Sequence, residues 1–240
     1  MQIEQYRANT IGVIAQALKG YVGHKAIISE LLQNADDADS EFVSFHFHHD
    51  RLEVHNDKHF TEKDWNSISE IASGGKHDEE GKIGTFGTGF ISVYHITDQP
   101  HIFSAGLHKV IYPLSGEIAV EEYPIGKETI FHFPWRREDS RLSQRIESPV
   151  WDEGRIEEFL REVTEFIPEA ILFLRSICRI DIYIENQQLV TTVKRKKIEK
   201  KIVEGYEREK WQLEFNGKLE DWLYYHANND RETPGNVRIK

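Results

Sequence analysis

Residues 29–38 read SELLQNADDA, and as a helix this stretch dictates what must lie around it. Side chains at i, i+4 and i+7 of a helix stack on one face. Glu30, Asn34 and Asp37 therefore project together, while Leu31, Leu32 and Ala35 are left to be buried on the other faces. A carboxylate, an amide and a second carboxylate in one row suit a metal and phosphate site, because magnesium takes hard oxygen donors. The chain must bury one side of this helix and leave a polar space beside the other.

Its size permits that. At 240 residues there is room for one large domain, or for one domain and the start of another, with a sizeable core. No apolar run approaches the roughly 20 residues that a membrane helix needs. The opening MQIEQYRANTIGVIAQ lacks the basic and apolar segments of a secretory signal, so the expected compartment is the cytoplasm. A formal charge of −11 argues against general nucleic-acid binding, which needs a basic surface. The run KRKKIEKK at 194–201 is read as a solvated, charged strand or helix edge. Cys178 is the only cysteine, which excludes an internal disulfide, and it is expected in the core. Among twelve histidines, His46 and His48 share a strand face without a third ligand at metal spacing, and are read as edge-strand surface residues.

Helical spacing at 10–19 and 25–38, with Gly20 and Gly23 between, predicts two opening helices. EFVSFHFHHD and RLEVHND alternate apolar and polar residues around His49-Asp50, the pattern of a β-hairpin with one buried face. A third helix is expected over 61–71, capped by Thr61 and acidic in its first turn. Residues 73–89 hold six glycines and no hydrophobic period, which predicts an exposed loop, and FISVYHIT after it reads as a helix. Strands are expected at 101–105, 110–113, 129–134 and 180–185, a connecting loop at 136–150 and an amphipathic helix at 153–166. Beyond 186 the chain is strand-rich and charged, with 231–240 lacking any pattern. The expected division is a domain of 1–185 and a C-terminal extension of 186–240 that has the character of the start of a second domain.

Three more segments carry chemistry. Gly84-Thr85-Phe86-Gly87-Thr88-Gly89 runs into the helix expected at Phe90. A glycine-rich loop at a helix N-terminus offers backbone N–H groups and the positive end of the dipole to a phosphate. No Walker lysine follows and no strand directly precedes it, so a nucleotide fold of another kind is needed. In LEVHND, 52–57, a strand ends in Asn56 and Asp57, able to accept from an exocyclic amine and equally able to form a plain turn. Gly126-Lys127-Glu128-Thr129-Ile130 turns into a strand that carries the Thr129 hydroxyl.

In this order the four elements resemble the Bergerat-fold ATPases, the GHKL superfamily of gyrase, the ninety-kilodalton heat-shock chaperones, histidine kinases and MutL. Within it the likeness is to the sacsin-like nucleotide-binding domains. ELLQNADDA, LEVHNDKHFTEKDW, GKIGTFGTGFISVYHITDQP and PEAILFLRSICRI carry it, over roughly 21–184. The resemblance implies an α/β two-layer sandwich, with a mixed, mainly antiparallel sheet and helices on one face. It also implies Mg²⁺-dependent ATP binding and slow hydrolysis, coupled to lid closure and to association with a second copy or a following domain.

For individual residues, the resemblance implies that Glu30 is the general base, Asn34 the Mg²⁺ ligand and Asp37 a wall of the pocket, with Asp36 facing solvent. Asn56, by strand register from Leu52, takes the place of the acid that reads the adenine amine, with Asp57 beside it. The family's glycines after that acid are absent here. Gly84, Gly87 and Gly89 match the phosphate cradle, and Phe86, Thr88 and Phe90 share that cofactor-binding segment. Residues 73–84 match a lid in which Lys76 lies near the nucleotide, and Thr129 closes the far side of the pocket. No separate helical segment with a phosphoacceptor histidine is found, which disfavours a histidine kinase. An ATP-sensing module with little turnover, and an interaction scaffold with a vestigial site, stay open beside the ATPase.

Overall fold

The computed structural model describes residues 10–19, 23–72, 89–203, 206–227 and 235–239. Helices α1 (Thr10–Leu18) and α2 (His24–Asp37) open the chain, followed by the hairpin of β1 (Phe42–Phe47) and β2 (Arg51–Asn56) and by α3 (Glu62–Ala72). A 3₁₀ helix, Phe90–His95, leads to β3 (His101–Ser104), β4 (Leu107–Tyr112), β5 (Glu117–Glu122) and β6 (Thr129–Pro134). Next come α4 (Arg141–Arg145), α5 (Glu153–Ala170) and β7 (Arg179–Ile184), and then β8 (Gln188–Val203), β9 (Tyr206–Phe215), β10 (Lys218–Ala227) and β11 (Gly235–Ile239).

Among the described residues these strands form one sheet of eleven, in the order β11-β10-β9-β8-β7-β1-β2-β6-β3-β4-β5. Only the β1–β7 pair is parallel, so the sheet is mixed and mainly antiparallel, as expected. Side chains alternate across a strand, and in register Phe45, Val54 and Phe131 fall side by side on one face. That face is buried against α2, through Ile27, Ile28, Leu31 and Leu32, and against α5, through Ile156, Phe159, Val163 and Ile167. The demand of the 29–38 helix for an apolar layer is met by this sheet.

Several local expectations fail for physical reasons. β5 is exposed at nearly every position, so its sequence shows no alternation. Within the supposed loop 136–150, α4 is held by a reciprocal cap between Ser140 and Ser143. FISVYHIT forms a 3₁₀ turn instead of an α-helix. β1 lies in the middle of the sheet, not at an edge, and His46 is buried there, stacked between His55 at 4.3 Å and Tyr183 at 4.6 Å. Cys178 is exposed, because it sits in the turn before β7 and its backbone N–H donates to Glu41 O. Beyond 186, β8 to β11 are strand-rich as expected and continue the same sheet, and Val193, Leu213 and Trp222 join the same apolar cluster as α2.

Candidate functional site

A narrow cleft opens between α2 and the turn that joins β2 to α3. Its walls are Asn34, Ala35 and Ala38 of α2, Asn56 at the end of β2, then Lys58, His59, Phe60 and Asp64, with Phe131 of β6. About 10 Å³ is clear between them, room for about one water molecule. Phe60 meets Phe131 edge to face at 5.8 Å, which makes one side of the cleft aromatic. Asn34 is 8 % exposed, and its side-chain amide makes no hydrogen bond among the described residues. Sequence reading places Asn34 and Asn56 in one site, and the fold brings them to one cleft.

The turn beyond Asn56 is held rigidly. Asn56 Oδ1 accepts from the Lys58 N–H at 3.0 Å. Across the strand, Thr129 is the register partner of Asn56. Its hydroxyl is fully buried and donates to Lys58 O at 2.6 Å. Ser104 Oγ lies 2.6 Å from Thr129 Oγ1 and accepts from the Phe60 N–H at 2.8 Å. Thr129 therefore does not present its hydroxyl to a ligand as expected; a backbone carbonyl holds it. Helix α3 then starts as its sequence predicts, with Thr61 Oγ1 and Asp64 Oδ2 bonded at 2.7 Å.

Glu30 lies one helical turn before Asn34. Gly89, at the start of the 3₁₀ helix, approaches it so closely that a Cβ built on the glycine would collide with Glu30 Oε2. This contact, and not the backbone, is what favours glycine here, since its φ of −65° suits any residue. Gly89→Ala is expected to displace the Glu30 carboxylate while lowering stability by less than about 1 kcal/mol, because the obstructing atom ends a flexible side chain. A crystal structure of the variant with urea unfolding beside it checks this; an unmoved Glu30 would contradict it.

Asp37, Asp57 and Phe90 do not line this cleft. Asp37, in the last turn of α2, is exposed and pairs with Arg175 Nη2 at 2.6 Å, beside a groove that Ser29, Gln33 and Phe173 also line. Asp57 Oδ1 accepts from Ser40 Oγ at 2.6 Å and from the Glu41 N–H at 3.0 Å, which fastens the entry to β1. Phe90 is a core residue, 6.0 Å from Phe131 and 6.4 Å from Phe133 between ring centres. Lys76, Gly84, Phe86, Gly87 and Thr88, with the lid expected at 73–84, lie outside the described residues.

Asp36, expected in solvent, is only 4 % exposed. Its carboxylate accepts from the backbone N–H groups of Arg175 at 2.8 Å, Ser176 at 2.7 Å and Ile177 at 3.1 Å. The missed signal was Leu32, which lies four residues earlier on the same side of the helix and is itself buried.

Comparison with known proteins agrees with this architecture. The sequence model of the Sacsin domain matches residues 46–122. Sacsin of Homo sapiens is 29% identical over 230 residues, which cover 73% of this chain and 5% of that protein, so the chain spans a small fraction of its relative. The N-terminal domain of a DNA repair protein superposes with a TM-score of 0.50 at 11% identity, covering 87% of this chain and 73% of that one. The Aquifex aeolicus MutL ATPase domain gives a TM-score of 0.45 at 14% identity over 78% of this chain and 73% of its own. The chain is thus similar to the Sacsin domain over residues 46–122 and to human sacsin at 29% identity, and its fold is that of the DNA repair protein's N-terminal domain.

Proposed function

We propose that this domain binds Mg²⁺ and ATP in the cleft beside α2 and hydrolyses the nucleotide slowly to ADP and phosphate. One observation carries the reading. Asn34 and Asn56 converge on a cleft with an aromatic side, while the Glu30 carboxylate lies one turn away against Gly89, the last residue of the glycine-rich segment. The donor set fits the metal: Asn34 offers a neutral oxygen with no other partner among the described residues, and magnesium held mainly by phosphates needs few protein ligands. Phe60, Phe131, Ala35 and Ala38 give the flat apolar walls that suit a purine. When bound, the magnesium triphosphate supplies the charge-neutralised phosphorus at which water adds. Glu30 orients that water and takes its proton.

The glycines at 84, 87 and 89, the 73–84 lid and Lys76 belong to the same proposal, as does association with a second copy or a following domain of the parent chain. No helix among the described residues is long and apolar enough to cross a membrane, which is compatible with the cytoplasmic setting proposed for such a domain. The narrowness of the cleft favours one further reading, a module that senses ATP and barely turns it over. Ligand entry requires these walls to part, and a site that opens seldom turns over slowly.

ATP binding and hydrolysis measured on the wild type, Glu30→Ala and Asn34→Ala test the proposal. Glu30→Ala is expected to retain ATP and to lose turnover by about 10²-fold or more. Asn34→Ala is expected to lose the Mg²⁺-dependent part of binding. If both variants bind and hydrolyse like the wild type, the assignment is wrong. A wild type that holds ATP without measurable turnover would favour the sensing module.

A further inference from the structure

We propose that Asn56 meets the ligand with a hydrogen-bond donor, so that this cleft takes a 6-oxo purine nucleotide at least as tightly as a 6-amino one. The inference rests on the nucleotide reading above and concerns the chemistry of the base. Asn56 is 6 % exposed and lines the cleft. An asparagine amide has one accepting oxygen and one NH₂ that only donates. The Lys58 N–H points at this amide from 3.0 Å, so the atom it meets is the oxygen. Turning the amide over would set NH₂ against N–H and lose the bond.

The surroundings lock that orientation. Lys58 O is held by Thr129 at 2.6 Å, and the Phe60 N–H is held by Ser104 at 2.8 Å. With 58 and 60 both fastened, the Lys58 N–H keeps its place. The Asn56 NH₂ makes no hydrogen bond among the described residues and is the group left to face a ligand. A ligand edge that accepts gives this donor a partner.

Once the walls part, a purine held between Ala35, Ala38, Phe60 and Phe131 would turn its edge to Asn56, which lines the same cleft. Adenine answers a donor only with a ring nitrogen, and its own amine then faces the same NH₂. Hypoxanthine answers with its O6. One lone pair of Asn56 Oδ1 is still free, so adenine is admitted and the preference is one of degree.

Calorimetric titration of this chain and of Asn56→Asp with ATP and with inosine triphosphate, in excess Mg²⁺, tests the inference. A carboxylate keeps an acceptor for the Lys58 N–H and adds one for an amine, while it repels O6. The wild type is expected to bind inosine triphosphate as tightly as ATP or more tightly. Asn56→Asp is expected to shift the ratio toward ATP by about tenfold or more. A wild type that prefers ATP about tenfold, or a ratio that the substitution leaves unchanged, would overturn the inference and leave the nucleotide reading standing. Binding of neither nucleotide by the wild type would overturn both.

Discussion

Asp36→Ala is expected to lower the stability of this domain by about 2–4 kcal/mol, the effect of taking the shared acceptor from a set of backbone donors. Three backbone N–H groups in succession, at 175, 176 and 177, donate to this one carboxylate. Alanine leaves all three without this acceptor; the buried Ile177 N–H costs about 1–3 kcal/mol, and the part-buried donors of Arg175 and Ser176 cost less where water replaces the carboxylate. The Arg175 side chain adds little, since it is 71% exposed and screened by solvent. The damage spreads beyond α2. Ile177 O accepts from Arg195 Nε at 2.8 Å, and Arg195 lies over Trp211 at 4.7 Å. The turn that Asp36 fixes is thus also where the extension is fastened. Urea unfolding of Asp36→Ala and Asp36→Asn decides the matter. Asparagine should fall between alanine and wild type, since it keeps one oxygen, and a loss below about 1 kcal/mol for alanine would contradict the argument.

Acid is expected to weaken the fold well before its carboxylates titrate. The sheet face opposite α2 and α5 is tiled with imidazoles. His46 stacks on His55, and His101 stacks on His108 at 5.3 Å and on His132 at 5.0 Å, with His101 Nδ1 and His108 Nε2 sharing a hydrogen bond at 3.1 Å. Burial pushes His46 down to about 4, with the His55 charge acting the same way and Glu53 opposing it. Burial likewise pushes His101 down to about 4, helped by His132 and His108. His132 is lowered too, mainly by burial.

The sign follows from proton binding. These histidines have native values below that of an unfolded chain, about 6.5, so the unfolded state takes up protons first. Stability is unaffected by them above about pH 6.5, falls as the pH drops from there towards about 4, and is flat below that. His46, almost fully buried, accounts on its own for about 3 kcal/mol at the acid end. Glu53 behaves in the opposite sense. Its hydrogen bond with His55, reinforced by Arg51, holds it well below the usual carboxylate range, so its contribution survives through this window and is lost only at stronger acid. Urea unfolding at pH 7.5, 5.5 and 4.5 should show the loss, and His46→Gln should flatten it. Equal stability at pH 7.5 and 4.5 would rule out the account.

What the residues disclose in advance depends on how far away their partners lie. α2, the β1–β2 hairpin and the Thr61 cap were legible because their determinants sit within one turn or one strand: the apolar period of 27–35, the alternation of 42–56, and the hydroxyl and carboxylate at 61 and 64. Asn34 and Asn56 reach one cleft because helix face and strand register are local properties carried into space by a regular layer. Asp37 and Asp57 were misplaced because their partners, Arg175 and Ser40, are joined to them only by the fold. Thr129 looked like a free hydroxyl in a strand, and only the pairing of β2 with β6 shows that Lys58 O claims it. The contact of Gly89 with Glu30 needs two distant segments to close on each other, which no spacing announces.

The sixteen residues of β8 have a mechanical meaning. Residues up to Lys194 pair with β7, and from Val193 onward the strand pairs with β9, so one unbroken strand belongs to the sheet under α2 and to the ribbon beyond it. At about 3.3 Å per residue it is an arm of about 50 Å. Among the described residues, no linker separates the β7 and β9 pairings in which motion between the two parts could be absorbed. A torque applied at the β9–β10 end arrives at β7, and at its neighbour β1, as a change of sheet twist beneath the cleft helix.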